Sequence, residues 1–147
     1  MGYSYNDLYT IHSKAHLDQA VKYSGGPAPL VLDDFVEGEP IFHFRMHFLP
    51  NGTCLLYNDG NDEMAQFDRR NRKLATAPTD ATDTRQWFVV KPADISNLNL
   101  GCIIQCADEG QSDFVWDVEG SQRNAPILAW NVHSGANQRW EIRSVGS

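Results

Sequence analysis

Short runs of apolar residues alternate with turn sequences along most of the chain. The runs are LYTI, PLVL, FHFRMHF, TCLLY, MAQF, QWFVV, CIIQC, FVWDV, PILAW and RWEIR. They are rich in β-branched, aromatic and aliphatic residues, and almost no stretch repeats its apolar residues at helical spacing. The pattern predicts about a dozen short strands in an all-β barrel or sandwich. Only TAPTDATD and KPADISNLN are candidates for a helical turn.

Pairs of an apolar or aromatic residue followed by aspartate recur at an almost constant interval. Leu17-Asp18, Phe67-Asp68 and Trp116-Asp117 lie 50 and 49 residues apart. A large aromatic residue at a later strand follows each pair, and this series is Phe44, Trp87 and Trp140. A period near 50 residues indicates three copies of one structural unit.

Two segments of the chain are also directly similar. APLVLDDFVEGEPIFHF (28–44) aligns with APILAWNVHSGANQRW (125–140) when one residue is inserted. Three units of four strands each would close a barrel without a long exposed edge. The sequence therefore predicts an all-β β-trefoil, with three four-stranded repeats and pseudo-threefold symmetry.

Length and charge restrict the domain organisation and the partners. The 147 residues are expected to form one domain, 1–147, with repeats at about 1–48, 49–95 and 96–147. The net charge is −7, and the basic cluster RRNRK is short. Nucleic acid and anionic membrane surfaces require clustered Lys and Arg, so neither is an expected partner.

The cellular location is interpreted from segments near the N-terminus and from the cysteines. MGYSYNDLYTIHS lacks a basic region followed by an apolar run, and no stretch approaches the ~20 apolar residues of a membrane span. The three cysteines are an odd number, and they are expected to be buried or idle thiols. We therefore expect a cytoplasmic protein without membrane insertion.

The segment VWDVEGSQRNAPILAWNVHSGANQRWEI (115–142) resembles one repeat of the ricin-B-type β-trefoil lectins, which carry Gln-x-Trp near the end of each repeat. Gln138-Arg139-Trp140 is that motif here. Its equivalents are interpreted as Arg85-Gln86-Trp87 in the second repeat, where the glutamine is lost, and Phe42-His43-Phe44 in the first. Free-standing trefoils of this size resemble the cytosolic mushroom lectins, thought to be defensive, so a fungal origin is expected.

The resemblance implies a site in the third repeat for galactose- or N-acetylgalactosamine-type glycans. A carboxylate and an amide would bond the sugar hydroxyls, and an aromatic ring would cover the C–H face. Asp117, Trp130 and Asn137 hold the family's positions for these groups. Gln138 would support the site from behind, and Trp140 would lie in the core. His133, Asn131 at the rim, and Gly120 complete the predicted set.

The other two repeats lack the stacking ring. Asp33 and Ala77 occupy the position of Trp130, and the Gln of Gln-x-Trp is also interpreted as lost from both repeats. Asp18 and Asp68 are expected to bond backbone amides. One sugar per chain follows, and agglutination of cells would then require a homodimer.

Alternative interpretations stay open for the residues and for the function. Trp130 could simply pack, and Asp117 could cap a turn. The chain could be a β-trefoil protease inhibitor that acts through exposed loops, or a protein-docking trefoil of the growth-factor or actin-bundling kind. His43 and His47 could share a face, but no third metal ligand lies at suitable spacing. No nucleophile signature occurs, so neither catalysis nor a cofactor is expected.

Overall fold

The computed structural model describes residues 8–24, 29–59, 63–108, 110, 113–118, 124–133 and 135–145. These residues form a 12-stranded antiparallel sheet. No helix within them is long and apolar enough to cross a bilayer. The strands are β1 Tyr9–Ser13, β2 Gln19–Lys22, β3 Val31–Asp34, β4 Phe44–Phe48, β5 Cys54–Asn58, β6 Met64–Phe67, β7 Leu74–Ala77, β8 Phe88–Pro92, β9 Cys102–Cys106, β10 Phe114–Val118, β11 Ala125–Asn131 and β12 Trp140–Ser144.

Six of the strands close into a barrel. β1 pairs with β12, β12 with β9, β9 with β8, β8 with β5, β5 with β4, and β4 again with β1. Ring closure gives every one of these strands two neighbours, which removes the free edges that would otherwise invite aggregation. The prediction of a closed β barrel is confirmed.

The remaining six strands form three hairpins, β2–β3, β6–β7 and β10–β11. These hairpins contact one another. β11 pairs with β3, and an isolated bridge joins Lys73 before β7 to Leu128 in β11. Each hairpin thus contacts a hairpin of another repeat.

The described residues contain four 3₁₀ turns, and three of them occupy the same position in their repeats. A single residue separates each of these three from the strand that follows: Pro40–Phe42 from β4, Thr84–Gln86 from β8 and Ala136–Gln138 from β12. The fourth, Leu98–Leu100, precedes β9 and overlaps the predicted turn in KPADISNLN. Three equivalent sets of four strands and one turn make this a β-trefoil, as the sequence predicts.

The aromatic residues that open the last strand of each repeat correct one prediction. Phe44, Phe88 and Trp140 open β4, β8 and β12, and each is at most 1% exposed. Trp87 was expected in this series, but it lies one residue earlier, is partly buried and donates its indole N–H to Ala81 O at 2.9 Å. Side chains alternate in strands, so a shift of one residue moves a side chain to the opposite face.

Every quoted apolar run overlaps a strand, but β2 and β7 lie outside these runs. Their sequences, QAVK and LATA, carry few large apolar side chains. The three cysteines are free and buried, as expected, and burial raises the pKa of each thiol to about 12.

Candidate functional site

The β10–β11 hairpin brings Asp117 and Trp130 to the same face. Val115 pairs with Trp130, and Asp117 pairs with Leu128. Cross-strand partners and residues two apart share a face, so Asp117 and Trp130 are diagonal neighbours. Asp117 is 6% exposed, whereas Trp130, near the strand end, is 48% exposed. The opposite face carries Trp116 and Ala129, both buried in the core.

Two amides from the Ala136–Gln138 turn, which follows the hairpin, hold the Asp117 carboxylate. Asn137 Nδ2 donates to Asp117 Oδ1 at 2.7 Å, and Gln138 Nε2 donates to Oδ2 at 2.9 Å. His133 Nε2 lies 3.5 Å from the same Oδ2. The predicted residues Asp117, Asn137, Gln138 and His133 therefore form one connected cluster.

Gln138 is fully buried and ties the loop together with three bonds. Its Oε1 accepts from His133 N at 2.7 Å, and its Nε2 donates to Asn131 O at 2.8 Å as well as to Asp117. Gly135 also gives these side chains room, because a Cβ there would lie 2.6 Å from His133 Cε1 and 2.7 Å from Asn137 Oδ1 and would displace them. The sequence interpretation missed Gly135, whose signal is its place inside HSGANQ.

The environment of Asp117 has two opposing effects. Burial raises the pKa of its carboxyl above the ordinary aspartate value, while the Gln138 amide, His133 and the Asn137 amide act to lower it. Two hydrogen-bond donors use only part of the acceptor capacity of this largely buried carboxylate, and its remaining lone pairs can accept from hydroxyl groups. The cluster is therefore suited to accept hydrogen bonds from a neutral polyol.

Trp130 contacts a residue from another repeat. Arg72, in the β6–β7 turn, places its guanidinium carbon 5.5 Å from the Trp130 ring centroid and 4.7 Å from that of Phe114. Both are cation–π distances. Sequence interpretation missed Arg72, because a contact between repeats has no signal in the 50-residue period.

The second repeat contains the same glutamine arrangement without the aspartate and the tryptophan. Gln86 is 1% exposed; its Oε1 accepts from Asp80 N at 3.0 Å, and its Nε2 donates to Pro78 O and to Gln66 Oε1, both at 3.0 Å. Met64 pairs with Ala77 as Val115 pairs with Trp130. Gln66 therefore stands where the third repeat has Asp117, and Ala77 where it has Trp130.

The first repeat carries an ion pair at these positions. Ala20 pairs with Asp33, so Lys22 occupies the place of Asp117 and Asp33 that of Trp130. Lys22 Nζ donates to Asp33 Oδ2 at 2.6 Å. Phe42, buried in its 3₁₀ turn, replaces the glutamine. The prediction that Asp33 and Ala77 replace the aromatic ring agrees with these registers.

Two further sequence interpretations need correction. The glutamine of the second repeat is not lost, because the motif there is Gln86-Trp87-Phe88 and starts one residue later than expected. Asp18 and Asp68 lie outside β2 and β6 and are not equivalent to Asp117, although Asp68 does bond a backbone amide, Arg70 N, at 2.9 Å. The remaining predicted site residue, Gly120, lies outside the described residues.

A metal site was not expected, and the described ranges contain no group of three or more His, Cys, Asp or Glu side chains placed to hold a metal ion. His43 is adjacent to the first 3₁₀ turn, and His47 lies in β4.

Comparisons with solved structures support the fold. The chain matches a mosquitocidal holotoxin (TM-score 0.81, 21% identity) over 98% of its own length, but it spans 17% of that protein. It matches the β-trefoil protein BEL (TM-score 0.75, 12% identity), covering 97% of this chain and 95% of that one. It also matches the C-terminal half of an earthworm R-type lectin, solved with N-acetylgalactosamine (TM-score 0.69, 22% identity), over 94% and 98%.

No protein-family model matches the sequence, and a search of curated proteins finds no match. Identities of 12–22% to these structures show a common fold. The function must be argued from the site.

Proposed function

We propose that this protein is a non-catalytic lectin that binds galactose- or N-acetylgalactosamine-type glycans through its third repeat. The observation that carries the proposal is a buried carboxylate, Asp117, held by two amides on the same face as the exposed indole of Trp130. A structurally similar protein, the C-terminal half of an earthworm R-type lectin, was solved in complex with N-acetylgalactosamine.

Each residue has a distinct role in the proposed complex. Asp117 accepts hydrogen bonds from two vicinal hydroxyls, since Asn137 and Gln138 fix the direction of its oxygens. Asn137 donates to Asp117 and also forms a hydrogen bond with a sugar hydroxyl. His133, whose side chain is 45% exposed, lies at the rim of the site. Trp130 covers the apolar C–H face of the sugar.

The expected affinity of such an open site is about 0.1–1 mM for a single sugar. The Lys22–Asp33 pair of the first repeat and Ala77 of the second provide no stacking surface, so we propose one sugar per chain. A homodimer would supply the second site that cross-linking of cells requires.

A lectin is preferred to a protease inhibitor because an inhibitor would use exposed loops, whereas the distinctive polar cluster here is buried beside a ring. The tests are calorimetry with N-acetylgalactosamine, galactose and glucose, together with a protease inhibition assay. Binding of the galactose-type sugars without inhibition supports the lectin; inhibition without sugar binding supports the alternative.

Two substitutions test the residues themselves. Asp117→Ala removes charge-assisted hydrogen bonds, and Trp130→Ala removes about 1–2 kcal/mol of stacking and apolar burial, so each is expected to abolish measurable binding. Phe48→Ala is the matched control for the ring, because Phe48 is 45% exposed in β4, away from the site. Normal binding by both Asp117→Ala and Trp130→Ala would contradict the proposed site.

A further inference from the structure

The turn that joins β6 to β7 holds Arg72 in an unusual backbone conformation. Arg72 has φ +61°, in the left-handed region, with its N–H donating to Asp68 O at 2.8 Å. Asn124, which directly precedes β11, has the same φ of 61°. Asparagine tolerates this conformation, whereas a long side chain is uncommon there and often marks a functional position.

The backbone of Arg72 is fixed to the proposed site. Ala129 N, in β11, donates to Arg72 O at 2.7 Å. Because Ala129 precedes Trp130, this bond sets the turn of the second repeat against the strand that carries the indole. The guanidinium then lies near both Phe114 and Trp130, at 4.7 and 5.5 Å from the ring centroids.

A cation–π contact uses the positive charge of a guanidinium and occupies none of its N–H donors, which lie in the guanidinium plane. Arg72 is exposed, and the structure shows no hydrogen bond or ion pair from its guanidinium to any residue that it describes. Planar, forked N–H donors match the oxygens of a carboxylate or a sulfate. The exposed guanidinium therefore offers a site for an anionic group beside the indole.

The positive charge of Arg72 stands out against the negative charge of the chain as a whole. The chain has a net charge of −7, and the sugar-binding cluster itself contains the carboxylate of Asp117. Both disfavour an acidic ligand. Arg72 supplies a local positive charge beside the Trp130 indole.

We propose that Arg72 is a specificity-determining residue of the third-repeat site and selects glycans that carry an anionic substituent next to the sugar stacked on Trp130. The second repeat thus completes the binding site of the third. This inference rests on the proposed function, and it adds the class of glycan that the site prefers.

The test compares one neutral and two acidic probes, namely methyl β-galactoside, galacturonic acid and galactose 6-sulfate, at low ionic strength. We expect the native protein to bind at least one acidic probe about three- to fivefold more tightly than the neutral one, as for an exposed charge pair. Arg72→Gln should reduce this ratio to about one while methyl β-galactoside still binds, and added salt should reduce it in the native protein.

Arg70→Gln is the matched control, since Arg70 lies in the same turn and its loss changes the net charge equally. It should retain the preference. The inference is overturned if the native protein shows no acidic preference, if both variants lose it equally, or if Arg72→Gln weakens all three probes by the same factor. Failure of every probe to bind the native protein would instead reject the proposed function, and the inference with it.

Discussion

The second and third repeats hold a buried glutamine in the same hydrogen bonds and differ in what surrounds it. Gln86 and Gln138 each accept from a backbone N–H and donate to a backbone carbonyl and a side-chain oxygen. That side-chain oxygen belongs to an amide, Gln66, in the second repeat and to a carboxylate, Asp117, in the third. The glutamine is therefore part of the loop architecture of both repeats, whether or not a sugar site is present.

The difference between the repeats lies in the residues that would face a ligand. Ala77 replaces Trp130, and Arg85 replaces Asn137. Arg85 is already paired with Asp83 at 2.6 Å, so its charge is engaged within its own turn. Sugar recognition is thus expected where Asp117 and Trp130 occur together, and the glutamine alone is a poor marker of it.

The largest expected effect tests the register on which this comparison depends. Trp140→Ala should lower the free energy of unfolding by about 3–5 kcal/mol, because it removes a fully buried ring that packs edge-on against Trp116. Trp87→Ala should cost less, about 1–2 kcal/mol, since that ring is only partly buried. Chemical denaturation measures both, and equal losses would show that Trp87 belongs to the core series.

The next effect separates loop architecture from binding. Gln138→Leu and Gln86→Leu should each lower the free energy of unfolding by about 1–3 kcal/mol, because each leaves buried polar groups without a partner. N-acetylgalactosamine binding should be lost only in Gln138→Leu, which removes a donor from Asp117. Denaturation and calorimetry on the two variants provide the check. Retained binding in Gln138→Leu would show that the hydrogen bond from Gln138 to Asp117 is not needed for binding.

The sequence alone predicts the fold and only part of the candidate site. Apolar runs and the QRW motif were sufficient to predict the β-trefoil and the cluster around Asp117. The second repeat was placed one residue out of register because Trp87 and Phe88 are adjacent large aromatics, and size alone favours the wrong one. The contact of Arg72 with Trp130 joins different repeats, so it depends on how the hairpins meet rather than on any local pattern.

A smaller effect concerns pH. Burial raises the pKa of Asp117, so the folded state takes up this proton more readily than the unfolded chain. The contribution of this group to stability is therefore largest at acidic pH and is lost as pH rises through the raised pKa. Sugar affinity should change in the opposite sense, since the ionised carboxylate accepts the hydroxyl bonds and protonation removes that capacity.

The affinity for N-acetylgalactosamine should accordingly fall as pH is lowered towards that raised pKa, while the protein remains folded. Calorimetry across this range measures it, with circular dichroism as the check on folding. Asp117→Asn, which cannot ionise, should show weak binding without this pH dependence. A native affinity that stays constant through the acidic range would argue that Asp117 does not contact the sugar.

We propose that the third repeat binds a galactose-type sugar and that the second, with the same glutamine, does not. An NMR titration with N-acetylgalactosamine tests it most directly, because Trp130 and Trp87 give separate indole N–H signals in the two repeats. We expect the Trp130 signal and the amides of β10, β11 and the 136–138 turn to shift on binding, while the Trp87 signal stays in place. A stationary Trp130 signal, or an equal response from Trp87, would contradict it.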